Sequence, residues 1–493
     1  MELTAREIDI GTRSPTVLVN SDDAAELGVH PLDRVQLAWA GGRGVGIVET
    51  TDELVPAGEL GVTRRLGHVS GTVEVTVAPH PDAVHYIRKK LDGIELERDE
   101  IDRIVTDIAE DRLSDIELAA YVVATYTRGL SLAETMHLTQ CMTNAGHHLS
   151  WDVPVVADKH SIGGVAGNRV TPIVVSIVAA AGVTIPKTSS RAVTSPAGTA
   201  DTMEVFCDVE FSTEEIREIV AETNGCLVWG GGVNLSPVDD KIIRAEMPLS
   251  LDPHGQLIAS VLSKKRSAGS THVIVDIPYG EGAKVADLNA ARELADDFVR
   301  VGDHLGMTIE CAITRGEVPV GRGIGPVLEA RDVLATLDGN GPEELRLKSV
   351  RLAEILLDCC GREDVDATEI LRSGRALATF RDIVAAQGGD PDVTLDDLPP
   401  GRHETTVSAS RDGVVTHVDN RLVSDIARRA GAPRDKRAGI DLHRRVGDEV
   451  QTGDRLFTIY AESAAKLSDA ERLQRKSEAV RVRTRDEALV EHV

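Results

Sequence analysis

The hydrophobic and polar positions of this chain change period several times, and each change marks a domain. Over residues 1–84, apolar and polar side chains alternate at 16–19, 35–38, 45–49 and 72–77, with Pro31 and Gly41-Gly42 as punctuation. Period two puts one face of each strand on a core, so a β-rich N-terminal domain is predicted. From His85 the apolar positions recur at helical spacing. Ser114 with Glu117, and Ser131 with Glu134, have the spacing of capping boxes, and Gly146 closes the second helix. Residues 85–155 read as an all-α subdomain, to which about 235–268 is expected to return.

Strand and helix periods then alternate. A buried strand is predicted at 151–157, running straight into Asp158, with others at 226–229, 273–277 and 307–313. Helices are predicted after the capping box of Ser212 and Glu215, and over 257–265, 285–305 and 342–360. The alternation predicts an α/β domain over 156–400, with a largely parallel sheet covered on both faces. Ligands of such sheets sit at the carboxyl ends of strands, so the loops after 151–157 and 273–277 are expected on one rim. A Pro- and Asp-rich linker at 390–402 leads to hairpin-like segments at 405–418 and 447–460 around a helix near 423–430. Over 405–493 this reads as an α+β C-terminal domain with barrel-sandwich-like hairpins. The hairpin at 446–461 is similar to those of biotinyl or lipoyl carriers but has no lysine at its turn, which favours a role in assembly. A solvated helix is expected in the tail from Lys466, with a capping box at Ser468 and Glu471.

Composition narrows the class. A chain of 493 residues calls for three or four domains. A formal charge of −26 argues against nucleic acid or an anionic membrane as a general partner. Abundant Asp and Glu, only twelve lysines and 3% aromatics point to a cytoplasm of high salt, where screening tolerates self-repulsion. The six cysteines show no CxxC pair, so neither a zinc site nor a disulfide framework is expected. The start MELTAREIDIG lacks the pattern of a signal peptide, and no apolar run is long enough to span a membrane. A cytoplasmic protein is expected.

The densest chemistry lies between Asp158 and Thr199. Two loops rich in Gly, Ser and Thr, at 159–168 and 188–199, flank the apolar run 173–183. They carry Lys159, His160 and Arg169, and Lys187 and Arg191. Backbone N–H groups, hydroxyls and fixed cations suit an oxyanion such as phosphate. Neither loop is a Walker P-loop or a GxGxxG turn, which discounts ATP-type and nicotinamide chemistry. Lys159, Lys187, Lys241, Lys264, Lys265 and Lys284 are half of all lysines, packed into about a quarter of the chain. In an Arg-rich protein, retained lysines mark places that need a compact cation. Asp252 stands in an apolar, Pro-bounded piece before a helix, as an N-cap or as an acid whose pKa is raised by an apolar setting. Ser260 and Lys264 are four residues apart on one helix face, as a paired ligand contact or as a solvated edge.

The runs Lys159-His-Ser-Ile-Gly-Gly164, Thr188-Ser-Ser-Arg191, Gly198-Thr199, Asn234-Leu-Ser-Pro-Val-Asp-Asp240, Ala259-Ser-Val-Leu-Ser-Lys-Lys265 and Gly321-Arg-Gly-Ile-Gly-Pro-Val-Leu-Glu329 occur together. In this combination, over roughly residues 85–480, the chain resembles the thymidine/pyrimidine-nucleoside phosphorylase family. It departs from the nucleoside-cleaving branch in four places. Leu251-Asp252 stands where that branch has Arg-Asp. The second loop is less glycine-rich, the first carries the extra Ala166-Gly-Asn-Arg169, and there are 84 additional N-terminal residues. In these departures it resembles the archaeal AMP phosphorylase branch.

The resemblance implies a nucleoside phosphorylase or phosphoribosyltransferase-like fold and phosphorolysis of nucleoside 5′-monophosphates. AMP and phosphate would give adenine and ribose 1,5-bisphosphate, with CMP and UMP as possible further substrates. It assigns AMP binding to Gly164, Ser190, Arg191, Ala192, Val193, Thr194, Ser195, Thr199, Ser260 and Lys284. Phosphate falls to Lys159, Ser161, Ser189 and Thr199, the proton donor is Asp252, and His160 and Lys264 lie near the base. Phosphate is the co-substrate, no metal or organic cofactor is implied, and a homodimer or larger homo-oligomer is expected. The alternatives are a thymidine or pyrimidine nucleoside phosphorylase, and a non-catalytic nucleotide-binding scaffold.

Overall fold

The computed structural model describes residues 1–12, 14–192, 195–233, 235–249 and 251–484. The chain divides into two units, one of residues 1–145 and 237–257, the other of 146–236 and 258–493.

In the first unit the strands Glu2–Ile8, Glu59–Thr63, Thr16–Asn20, Gly42–Thr51, Arg34–Trp39 and Thr72–Val77 close, in that order, into a barrel. Leu3, Val17, Val19, Val35, Leu37, Leu60 and Val75 are among the side chains that fill it. Alternation predicts four of these strands. Glu59–Thr63 escapes because it is almost wholly buried, with Gly61 closing on Val55 and Leu18, and Glu2–Ile8 because only Leu3 is buried.

Helices Asp82–Leu91, Arg98–Ala109, Asp115–Arg128, Leu132–Asn144 and Pro237–Glu246 complete this unit. Both predicted capping boxes form, Ser114 with Glu117 and Ser131 with Glu134. Glu134 also takes both carboxylate oxygens to Lys90 Nζ at 2.7 Å and accepts from Leu96 N, so this buried pair ties three segments. Lys241 donates to the carbonyls of Ile108 and Ala109 at 3.0 and 2.7 Å and pairs with Asp111 at 2.7 Å. It neutralises the end of helix Arg98–Ala109, which is a structural use of one of the six clustered lysines.

In the second unit the strands Thr308–Arg315, His272–Tyr279 and Ala157–Ser161 form a parallel sheet in that order. Ile185–Ser189 and Gly225–Trp229 form another parallel pair, linked to the first by a parallel bridge from Val156 to Thr184. Helix Thr171–Ala180 is apolar all round and buried along nearly its whole length, among helices Pro326–Leu337, Glu343–Cys359 and Arg375–Ala386. A helix without a polar face is stable only when enclosed on every side.

The C-terminal region adds the strands His403–Ser408, Arg455–Ala461 and Gly439–Leu442 to the short strand Gly323–Ile324, so it shares a sheet with the α/β part. A second small sheet joins Glu449–Val450, Gly413–Val418 and Val480–Arg483. Helices Asn420–Ala430 and Ala464–Gln474 pack on this core.

Two expectations are corrected. The strand expected at 151–157 begins only at Ala157 and runs through Asp158, Lys159 and His160 to Ser161, because its hydrogen-bonding partner is the strand from His272. The expected capping box at Ser468 falls inside a helix. Ser463 caps that helix, and a strand at Val480–Arg483 follows where helix was expected. Among the described residues, no helix is long and apolar enough to cross a membrane.

Candidate active site

Parallel pairing brings the carboxyl ends of Ala157–Ser161 and His272–Tyr279 to one rim, as the alternation predicts. The loops that follow them touch. Gly164 has φ +88° and packs so tightly that an added Cβ would lie 2.7 Å from Lys284 N. Only glycine meets both demands, left-handed backbone and close approach. Gly167, φ +66°, sits similarly against the backbone of Gly321.

Behind this rim lies a group of buried charges. Asp158 pairs with Lys265 at 2.9 Å and with Lys187 at 3.6 Å, and accepts from Ser270 Oγ at 3.0 Å. Burial opposes its ionisation, but Lys265 and Lys187 outweigh that and hold its carboxyl below the ordinary range. Asp276 pairs with Lys348 at 2.9 Å and accepts from Ser161 Oγ at 2.9 Å, Thr314 Oγ1 at 2.6 Å and Asn168 Nδ2 at 3.2 Å. Its carboxyl is also held low, by Lys348 and Lys159 against the cost of burial. Arg169 pairs with Glu329 at 2.6 Å and donates to Thr199 Oγ1 at 2.7 Å and to the Ala197 carbonyl at 2.8 Å. The Arg169 guanidinium thereby fastens the first loop to the second.

Five cationic side chains share three carboxylates here. Lys159 shows the imbalance most clearly. It is 1% exposed, and its Nζ donates to Thr171 Oγ1 at 3.2 Å. Burial, with repulsion from Lys348, Arg169 and Lys265, outweighs the attraction of Asp276 and pushes its pKa down to about 7. Lys187 likewise falls well below the lysine range through burial and Lys265. His160 is held well below its ordinary value by burial and by Lys265, Lys187, Lys264 and Lys159. Such a cluster gains from an anion, since added negative charge stabilises every cation at once.

The second loop folds around a buried carboxylate. Asp201 Oδ2 accepts from Ala192 N at 2.6 Å and from Gly198 N at 2.9 Å, which draws the two ends of the 190–198 segment together. Ser195 Oγ donates to the Ala197 carbonyl at 3.0 Å, and Ser190 is exposed. Ser189 Oγ is buried and has no hydrogen-bond partner among the described residues. Arg191 pairs with Glu204 at 2.8 Å and Glu210 at 2.9 Å, and its guanidinium lies 4.9 Å from the Trp229 ring centre. The fixed positive charge expected of Arg191 is thus compensated by carboxylates. Val193 and Thr194 lie outside the described residues.

On helix His254–Ser267, whose one face carries both residues, Lys264 Nζ donates to Ser260 Oγ at 3.2 Å, and Lys284 is exposed. Asp252 belongs to the first unit, two residues ahead of that helix. It is exposed, so its apolar sequence neighbours do not enclose it, against the second of the two readings of that piece. Asp276 and Lys348 belong to no motif that points to the site, and Asp158 and Glu329 stand only at the ends of glycine-rich runs, without a role of their own. The usable signal was a single carboxylate inside an apolar strand, as in Val273-Ile-Val-Asp-Ile277.

Residues 84–146 match the helical bundle domain of a glycosyl transferase family, residues 153–339 its α/β domain, and residues 414–480 the pyrimidine nucleoside phosphorylase C-terminal domain. A protein from Natronomonas pharaonis named AMP phosphorylase is 64% identical over 100% of both chains. Proteins of that name from Thermococcus kodakarensis (45% identical, 98% of each chain) and Archaeoglobus fulgidus (AMP phosphorylase 1, 46%, 92% of each) are also similar. The anthranilate phosphoribosyltransferase of Thermus thermophilus matches 62% of this chain and 99% of its own with a TM-score of 0.51. At 18% identity that likeness speaks to fold alone. Full-length identity with the archaeal proteins, joined to matches in three successive domains, makes this chain a member of the AMP phosphorylase family.

Proposed function

We propose that the protein catalyses phosphorolysis of nucleoside 5′-monophosphates, AMP first among them, with CMP and UMP as further substrates. The observation that carries this reading is the cation-rich cluster of buried Lys159, Lys187 and Lys265 with partly buried Lys348 and Arg169, behind two loops that Arg169 joins. An acidic protein that binds two anions, phosphate and the nucleotide's own 5′-phosphate, needs such local reversals of sign.

Phosphate attacks C1′ from the side of Lys159, Ser161, Ser189 and Thr199 as the N-glycosidic bond breaks. Positive charge develops on the ribose, and the adjacent phosphate stabilises it electrostatically. Gly164, the 190–195 segment, Thr199, Ser260 and Lys284 hold the nucleotide. Asp252 protonates the departing adenine, and His160 and Lys264 lie towards the base. The neutral His160 favoured by its surroundings offers a hydrogen bond without adding a further cation. The reaction leaves adenine and ribose 1,5-bisphosphate, and its chemistry calls on no metal or organic cofactor.

The enzyme works in a salt-rich cytoplasm as a homo-oligomer, a reading supported by its acidic, lysine-poor composition and its additional terminal domains. Release of adenine from AMP, measured with and without phosphate and beside adenosine, tests the proposal. Phosphate-dependent release from AMP alone is expected. Equal cleavage of adenosine would make it a nucleoside phosphorylase, and no release from either would leave a nucleotide-binding scaffold.

A further inference from the structure

The C-terminal region reaches the rim of the phosphate cluster through one buried side chain. Asn420 is the first residue of helix Asn420–Ala430 and is 3% exposed. Its own helix does not need that side chain, because Asp419 caps the first turn by accepting from Arg421 N and Leu422 N. The amide turns instead to two loops of the α/β part. Its Oδ1 accepts from Ala166 N at 3.2 Å, in the loop between Ser161 and Arg169. Its Nδ2 donates to the Gly316 carbonyl at 2.8 Å, just beyond strand Thr308–Arg315.

A third loop closes on the same point. Gly282, φ +84°, would bring an added Cβ to 3.5 Å from Asn420 Cβ. Gly316 is boxed in by Val165 and Ala283, with an added Cβ 3.0 Å from Val165 Cγ2 and 3.1 Å from Ala283 Cβ. One amide therefore joins the loop that follows Ser161 to the segment after Arg315, and the loop that carries Lys284 packs beside the same side chain. Its two polar ends bond to backbone groups that have a fixed donor or acceptor sense, so no hydrocarbon or acidic side chain reproduces the set.

We propose that Asn420 is a positioning residue for the reaction, setting the first loop and thereby the site of the attacking phosphate from the C-terminal region. This rests on the reading of the reaction given above. It assigns the C-terminal region a part in substrate geometry, through a contact distinct from its sheet pairing at Gly323–Ile324.

Asn420→Ala tests this, with Val423→Ala as a control in the same helix. Val423 is fully buried in the C-terminal core, away from the residues proposed to bind substrate. For Asn420→Ala the KM for phosphate is expected to rise about tenfold, the scale of losing, of its two buried hydrogen bonds, the one that holds the first loop at Ala166, with kcat at saturating phosphate little changed. Val423→Ala should lower Tm at least as far while leaving the phosphate KM alone. Phosphate binding is also read without AMP, from the thermal shift produced by inorganic phosphate. A failure of the AMP reading therefore leaves this test standing. A phosphate affinity unchanged in Asn420→Ala, or weakened equally in Val423→Ala, overturns the proposal.

Discussion

Lys159 is a cation with too little negative charge around it, and two consequences follow at the scale of single residues. Its folded pKa lies at about 7, below its unfolded value, so between those values the unfolded chain binds more protons than the folded one. The penalty for burying charged Lys159 is therefore complete at low pH and shrinks as pH rises from about 7 towards the ordinary lysine range. Lys159→Met should raise Tm relative to the parent more at pH 6 than at pH 9, while abolishing phosphate-dependent turnover. Melting curves at the two pH values check this, and an equal shift at both would show that Lys159 is not strained by its surroundings. Asp252 is a different case, an exposed carboxylate whose proposed role comes from the family pattern. Replacing a general acid typically costs about 10²–10⁴-fold. Asp252→Asn should lower kcat by about 100-fold or more with AMP still bound, and near-parental turnover would remove Asp252 from the mechanism.

Among elements, the first loop is the most constrained. Its geometry depends on glycines at positive φ, on the Arg169 tie to Glu329 and Thr199, and on the amide of Asn420. Gly164→Ala meets both a left-handed backbone and the Lys284 amide, so the loop must shift. Displacements on the order of 1 Å cost about 100-fold in well-positioned sites. A comparable loss of kcat/KM, with Tm falling by only a few degrees, is the expected outcome, and a parental kcat/KM would mean that the loop does not position substrate. This constraint was partly legible. The glycine runs marked loops and the alternation placed them on one rim, but nothing in the sequence pairs Gly164 with Lys284. The helices were more legible than the strands, because capping boxes such as Ser131 with Glu134 are local. The strand at Ala157–Ser161 lies beyond the expected 151–157 because the apolar 153–157 run is the stronger signal in the chain than its polar continuation. A strand that carries Asp158 and Lys159 is recognisable only once Lys265 and Lys187 are seen to neutralise Asp158.

Across the whole chain, a formal charge of −26 contrasts with the locally cationic cluster of buried Lys159, Lys187 and Lys265 in the second unit. The surface repulsion is screened by salt far more than the buried pairs are. Thermal unfolding should accordingly move to higher temperature between low and multimolar KCl, and an unchanged Tm would remove the salt-adaptation reading. What the sequence determined by itself was whatever depends on near neighbours or on sums. Its periods set the succession of β-rich, helical, α/β and C-terminal regions, its caps set helix starts, its composition set the charge, and its motifs carried the family. What only the tertiary structure decided was the company each charged group keeps. Lys241 and Lys159 look alike in the chain, yet one closes a helix end and the other is buried among cations, because pairing distances arise from strand register and helix packing between residues far apart in sequence.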